Sequence, residues 1–271
     1  MVRSRASWNG VDLSHTAGDG PVAFSADTGP DALLAAYRAG AYPLPAPNDF
    51  ARTINEVTHE EAVAAGRIWL IGADTGDPYR VSWWSPDPRP VIPVRAVHLS
   101  RRLAGRLRRD TWSTSLDRDF EQVVHGCREG RDPQWLTDEL VRSLLLLHEA
   151  GWAHSVEVWQ ESTLVGGVFG VRIDSVLSMD SMFRLRSGAG ATAVADLADR
   201  FAEAGGTVLD AQWDSPHVRS LGSTPLPRER YLGLLAEQRP APAPLPADPR
   251  PARRLAAGAA EAADGQPCKI Y

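Results

Sequence analysis

The spacing of apolar residues changes several times along the chain, and each change marks an element. Up to about residue 95 any periodicity is repeatedly cut by turn signals, among them Tyr42-Pro43-Leu44-Pro45 and Ser85-Pro86-Asp87-Pro88-Arg89-Pro90, leaving one short helix near 31–39. Asp31 stands where an N-cap is expected and Gly40 where a C-cap glycine is expected. Helical spacing returns over 117–127 and 137–150, the second stretch opened by Thr137 and Glu139 and ended by Gly151. Beyond Gly151 the pattern is that of strands at 155–160, 164–172, 175–183 and 207–212. A helix is expected over 189–204, where Ala193, Val194, Leu197 and Phe201 share one face. Three strands, a helix and a returning strand predict an α+β unit.

After Leu235 the text turns Pro/Ala-rich, as in Arg239-Pro-Ala-Pro-Ala-Pro-Leu-Pro246, and offers too little large apolar surface to pack. The chain is therefore parsed into a smaller N-terminal α/β domain (1–95), a larger domain (96–235) and a mobile tail (236–271). Its 271 residues, 43% of them hydrophobic, suffice for one large core or two small ones. No run approaches the roughly 20 apolar residues that span a bilayer, and the first twenty residues lack the order of a secretory signal, so a cytosolic location is expected. Cys127 and Cys268 are too far apart in the text to suggest a disulfide framework and are expected as thiols. Lys269 as the only lysine, beside abundant Arg, Ala and Pro, suggests a G+C-rich, bacterial genome.

A net charge of -5 means that any binding of nucleic acid must come from a local patch. One candidate is Ser100-Arg-Arg-Leu-Ala-Gly-Arg-Leu-Arg-Arg109, where helical spacing aligns Arg102, Arg106 and Arg109 apart from Leu103 and Leu107, with Arg101 at the start. The same spacing also describes a solvated face paired with nearby acids. His148 and His154 do not share a helix face in the manner of metal motifs, and no metal is expected. The text holds no Gly-x-Ser-x-Gly elbow, phosphate loop or dinucleotide fingerprint. Glycines in Leu164-Val-Gly-Gly-Val-Phe-Gly170 read as a bulge or a close backbone approach. Asp210 and Gln212, one residue apart on an expected strand, should project to one face while Ala211 points away. They would form a polar pair beside a core, or else cap the segment 215–221.

Several segments stand in one order along the chain: Ala36-Tyr-Arg-Ala-Gly-Ala-Tyr-Pro43, Trp83-Trp-Ser-Pro-Asp-Pro-Arg89, His98-Leu-Ser-Arg101, Trp135-Leu-Thr137, Leu147-His-Glu-Ala-Gly-Trp-Ala-His-Ser-Val-Glu157, Leu164-Val-Gly-Gly167, Ser181-Met-Phe183, Asp210-Ala-Gln212 and Ser220-Leu-Gly222. Read together, they resemble the leucyl/phenylalanyl-tRNA protein transferase family in that family's order. The resemblance implies a C-terminal acetyltransferase-like (GNAT) domain behind a smaller N-terminal one. It implies that leucine or phenylalanine is moved from aminoacyl-tRNA to a protein whose N-terminus is Arg or Lys, marking that protein for degradation, with no metal or small cofactor needed. A monomer that binds no membrane is expected.

By the same resemblance Asp210 and Gln212 match the catalytic pair, with the Gln carbonyl accepting a hydrogen bond from the attacking amine. Val168, Leu177, Met182, Val194 and Phe201 match an apolar amino-acid pocket, although periodicity alone assigns them to the core. Asp180 matches an acidic residue beside that pocket. Since the family binds the charged end of tRNA, Trp135 could stack on the terminal adenosine or else pack in the core, and Arg101, Arg102, Arg106 and Arg109 could meet tRNA phosphates. Departures cluster near the donor site: Leu44 and Leu144 stand where the family has Trp and Tyr, Ser215 replaces an Asn, and Ala189-Gly190-Ala191 replaces Ala-Ser-Lys. They leave open a specialised paralogue that acylates a small-molecule amine, such as an antibiotic intermediate. An acetyl-CoA enzyme of the same fold and a non-catalytic tRNA binder stand further off.

Overall fold

The computed structural model describes residues 2–72, 76–237 and 243–257. In chain order the elements are β1 (Arg3–Arg5), β2 (Pro21–Ser25), α1 (Pro30–Arg38), β3 (Tyr42–Pro45), α2 (Asp49–Ala64), β4 (Trp69–Ile71), β5 (Val81–Trp84), β6 (Arg89–Pro93), α3 (Arg101–Leu107), β7 (Ser113–Leu116), α4 (Phe120–Arg128), α5 (Asp138–Glu149), β8 (Ala153–Gln160), β9 (Thr163–Ile173), β10 (Val176–Arg184), α6 (Ala189–Glu203), β11 (Val208–Asp210), α7 (Pro216–Ser220), β12 (Thr224–Leu226), α8 (Arg228–Ala236) and β13 (Arg250–Pro251). The mixture of helix and strand is the α+β class that the periodicity predicts.

The chain forms two compact units, Met1–Arg89 with Gly130–Trp152 and Pro225–Gln238, and Pro90–Glu129 with Ala153–Thr224 and Arg239–Tyr271. Neither boundary of the sequence parse coincides with these limits. The helix expected over 137–150 belongs to the first unit, because adjacency in sequence does not fix which core a helix enters.

In the first unit the strand order is β1-β4-β2-β5-β3, with β1 and β2 parallel to β4, and β5 antiparallel to both β2 and β3. Trp83 is fully buried, donates from Nε1 to Ser25 Oγ at 2.8 Å and meets Trp8 edge-on at 5.1 Å. Arg89, 1% exposed, lies over Tyr42 at 4.7 Å and Tyr231 at 4.6 Å, so π faces replace the water its guanidinium has lost. Helix α1 is capped two positions earlier than expected, at Gly29 rather than Asp31; Pro30 sits in its first turn, and Asp31 contributes charge there. The sequence reading misses α2, whose buried face contains only Val63 while Phe50, Ile54 and Val57 are exposed.

The second unit contains a sheet with neighbours β6-β11-β10-β9-β8-β7-β13, antiparallel except between β10 and β11. Adjacent glycines on β9 explain how helices reach both faces. A Cβ on Gly166 would lie 2.6 Å from Ala189 of α6, and one on Gly167 3.0 Å from Val123 of α4. Since successive strand residues point to opposite faces, α6 and α4 cover opposite sides of the sheet. The close-approach reading of that glycine run therefore holds.

The expectation of an unpacked tail is corrected for residues 243–257. β13 adds to the edge of β7, and Leu245, Ala252 and Ala256 are buried in the core beneath α6. Arg250 binds Glu203, and Arg254 binds Asp196 and Asp199. Composition predicts disorder here because large apolar side chains are scarce, whereas the docking uses a strand edge, small residues and two arginines. The remainder of the expected tail, with Cys268, lies outside the described residues apart from 236–237. Cys127 is a buried thiol of α4.

Candidate functional site

Three residues of two neighbouring strands and one from the turn that follows make a polar network inside the second unit. Ser178 of β10 pairs with Asp210 of β11 in parallel register. The Ser178 hydroxyl donates to Asp210 Oδ2 at 3.1 Å and accepts from Gln212 Nε2 at 3.0 Å. The second Gln212 amide hydrogen goes to Asp180 Oδ1 at 2.7 Å. Asp210 is fully buried, Ser178 is 3% exposed and Gln212 7%, whereas Asp180 is half-buried. Because a carboxylate only accepts, the contact to Asp180 fixes which end of the carboxamide is Nε2, leaving Oε1 as its accepting end.

Asp210 and Gln212 do converge, but not from a shared strand. β11 stops at Asp210, and the chain makes a γ-turn in which Trp213 N–H bonds Ala211 C=O at 2.6 Å around Gln212 at φ 60°. Asp210 Oδ1 steadies the turn by accepting Gln212 N–H at 2.9 Å. A non-glycine residue at positive φ in such a turn is strained by roughly 1–3 kcal/mol, and strain of this kind concentrates where a side chain must be aimed. The turn sends the Gln212 side chain inward and leaves Trp213 43% exposed. A capping role for the pair is not realised: α7 is capped by Ser215, whose Oγ accepts Val218 N–H at 3.1 Å.

A model of leucyl/phenylalanyl-tRNA protein transferases matches residues 91–236. Transferases of that name from Klebsiella pneumoniae subsp. pneumoniae and Xanthomonas campestris pv. campestris are each 36% identical to this chain, over 80% of it and 81% of the first protein, and over 83% of it and 80% of the second. The chain belongs to the leucyl/phenylalanyl-tRNA protein transferase family. One from Shewanella sediminis is 34% identical over 80% of each protein. Among solved structures, a conserved protein of unknown function from Bacteroides thetaiotaomicron VPI-5482 gives a TM-score of 0.39 at 14% identity over 62% of this chain and 69% of that one. A member of this family is an aminoacyl-tRNA-dependent aminoacyltransferase, and no described helix is long and apolar enough to cross a membrane.

The other residues singled out in this transferase are scattered. Val168, Leu177, Val194 and Phe201 have no exposed surface and belong to the core under α6; Met182, packed against that core, is half-buried. Leu209 shares that core, so strand alternation puts Ser178 and Asp210 on the other face of the sheet. Trp135, half-buried, and Leu144, 1% exposed, belong to the first unit, as does half-buried Leu44.

In α3, Arg101 and Arg102 are exposed, as is Arg109 just beyond its end. Arg106 is not available in the same way: it bonds Asp110 at 2.9 Å and lies 4.4 Å over Trp112. Sequence reasoning missed Ser178, whose signal is the polar pair Ser178 and Asp180 spaced by two in a buried strand. It also missed Glu157 of β8, fully buried, which accepts from Ser115 Oγ and Ser155 Oγ, each at 2.5 Å. Burial pushes the Glu157 carboxyl up to about 7, against the pull of these two hydroxyls and the Arg118 N–H, with nearby Asp117 adding to the rise.

Proposed function

We propose that this transferase moves leucine or phenylalanine from the 3′ end of its tRNA to the α-amine of a protein beginning with Arg or Lys, with Asp210 and Gln212 as the reacting pair. The observation that carries the reading is the orientation of the Gln212 carboxamide, whose Nε2 is engaged by Ser178 and Asp180. Its Oε1 accepts a hydrogen bond from the incoming amine and aims the nitrogen lone pair at the ester carbonyl. A carboxamide is too weak a base to keep a proton, so Gln212 positions and polarises while the Asp210 carboxylate supplies the negative field behind it. The C–N bond forms as the C–O bond to the terminal ribose breaks, and the proton lost by the amine ends on that ribose oxygen. The ester arrives activated, so the balance requires no cofactor and positioning supplies much of the rate.

On this reading Asp180, bonded to Gln212, faces the polar end of the amino acid and half-buried Met182, two residues along β10, meets its side chain, while Val168, Leu177, Val194 and Phe201 back Met182 in the core on the face away from Asp210. Arg101, Arg102 and Arg109 meet tRNA phosphates and Trp135 offers a stacking surface; Arg106 serves by holding the end of α3. The succession β8-β9-β10, α6 and a parallel return in β11 supports an acetyltransferase-like (GNAT) core. The enzyme is read as a cytoplasmic monomer. The test is incubation of the protein with labelled leucyl- or phenylalanyl-tRNA and peptides beginning with Arg, Lys or Ala, beside a panel of small amines. Label on the Arg and Lys peptides is expected, and label confined to small amines would overturn the acceptor assignment.

A further inference from the structure

We infer that Ser178 is a positioning residue for the transfer reaction, acting through Gln212 by coupling its carboxamide to the Asp210 carboxylate. The inference rests on the function proposed above and deepens it. Two hydrogen bonds run head to tail through this hydroxyl, the amide N–H of Gln212 pointing to Ser178 Oγ and the Ser178 O–H to Asp210 Oδ2, and a third brings the backbone N–H of Gln212 directly to Asp210 Oδ1. The four groups close a ring in which the buried carboxylate polarises the serine, and the serine polarises the amide. Withdrawal of the amide proton toward Oγ pushes electron density onto Oε1, and bonds aligned head to tail strengthen one another.

Asp180 settles which end of the carboxamide is nitrogen; Ser178 settles the plane in which it lies. The bond to Asp180 fixes one amide hydrogen and the bond to Ser178 the other, on a side chain that stands on a turn beyond the last paired residue of β11 rather than within the strand. The hydroxyl is itself fixed. Its strand is paired on both sides at this position, to Asp210 of β11 and to Val171 of β9. Backbone approach is tight beside it, since a Cβ on Gly170 would fall 2.0 Å from the Ser178 carbonyl oxygen. A serine serves here because it can accept from one neighbour while donating to the other, which neither alanine nor a carboxylate can do.

The test is a double-mutant cycle on the full-length enzyme, with kcat and KM measured for leucyl-tRNA and for an Arg-initiated peptide. Ser178→Ala is expected to lower kcat about tenfold with both KM values changed less than about twofold, the mark of a group used in the transition state rather than in binding. In a Gln212→Ala background the same replacement should cost less than about twofold more, because a residue acting through Gln212 has nothing left to position. Losses that multiply across the two sites would overturn the inference, as would wild-type kcat in Ser178→Ala. Should that variant fail to fold, Ser178→Cys takes its place, keeping nearly the same volume with a weaker donor and acceptor. A folded Cys variant with severalfold lower kcat supports the coupling, and one at wild-type kcat removes it. Wild-type protein that transfers no amino acid to any acceptor would bring down the proposed function and this inference together, whereas active wild type with an indifferent Ser178 brings down this one alone.

Discussion

Asp196 and Asp210 are both fully buried in the second unit, and they are held in opposite ways. Asp196 of α6 accepts from Arg200 Nε at 2.6 Å, one turn along, from Thr114 Oγ1 at 2.7 Å, and from Arg254 of the docked segment 243–257. Arg200 is as deeply buried and also donates to the Pro246 carbonyl at 2.5 Å. Charge is cancelled where it lies, by arginines of α6 and the docked segment, with a hydroxyl of β7 beside them. Among the groups that hold Asp210 are a hydroxyl and a backbone N–H, neutral donors that orient a carboxylate without cancelling its field. One cluster fastens pieces of the fold together; the other keeps a negative field behind a carboxamide on a strained turn.

The largest expected effect breaks this contrast at its structural end. Asp196→Ala leaves the guanidinium of Arg200 buried without its main counter-ion, and removing one partner of such a pair costs about 3–5 kcal/mol. Denaturant unfolding reads the loss, and a variant within about 1 kcal/mol of wild type would show that the cluster fastens nothing. At the other end, Asp210→Asn and Gln212→Ala should each lower transfer at least about tenfold while the unfolding midpoint barely moves. Wild-type turnover in both would remove the chemical half of the comparison.

Glu157 sharpens the comparison because it lies between the two cases. Fully buried like both aspartates, it is held by two hydroxyls, and burial raises its carboxyl to about 7. An acid raised in the folded state binds its proton more tightly there than in the unfolded chain. Its contribution to stability is thus complete below the unfolded value near 4.5 and is lost as pH rises toward 7. Relative to Glu157→Gln, which cannot ionise, the wild type should lose on the order of 1–2 kcal/mol between pH 5 and pH 7, a tenfold difference in proton affinity being worth about 1.4 kcal/mol. Equal pH dependence of the two proteins would mean that the carboxylate ionises freely inside.

What the text of the chain reveals follows from the range of the interactions involved. The elements of the second unit from β8 to α6 are legible because their apolar faces repeat at periods of two and 3.6, and the pair Asp210 and Gln212 is legible as a motif. The turn that aims Gln212 is not, since a positive φ in a glutamine is imposed by tertiary contacts to Ser178 and Asp180, more than thirty residues away in sequence. The seating of residues 243–257 is hidden for a similar reason. Arg250 and Arg254 look like solvated charges until α6 brings Asp196, Asp199 and Glu203 beneath them. Short-range pattern predicts which residues are buried, and cannot predict which partner a buried charge will find.

The same distinction between a charge that fastens and a charge that acts gives the smallest effect, in α3. Arg106 is tied to Asp110 and stacked over Trp112, and a Cβ on Gly188 would come within 3.2 Å of its Nη2, so it fills the space before the first turn of α6. Arg101, Arg102 and Arg109 are exposed, although all four read alike in the sequence. If the exposed three meet tRNA, neutralising one, as in Arg102→Gln, should weaken binding only modestly and flatten the dependence of log K on log salt by about 0.7–0.9, the share of a single phosphate. Arg106→Gln should leave that slope nearly unchanged while lowering the unfolding midpoint, because its guanidinium is already engaged by Asp110 and the indole. Titrations of tRNA at several salt concentrations separate the outcomes. A slope flattened by Arg106→Gln and not by Arg102→Gln would reverse the assignment of which arginines face phosphate and which hold the helix.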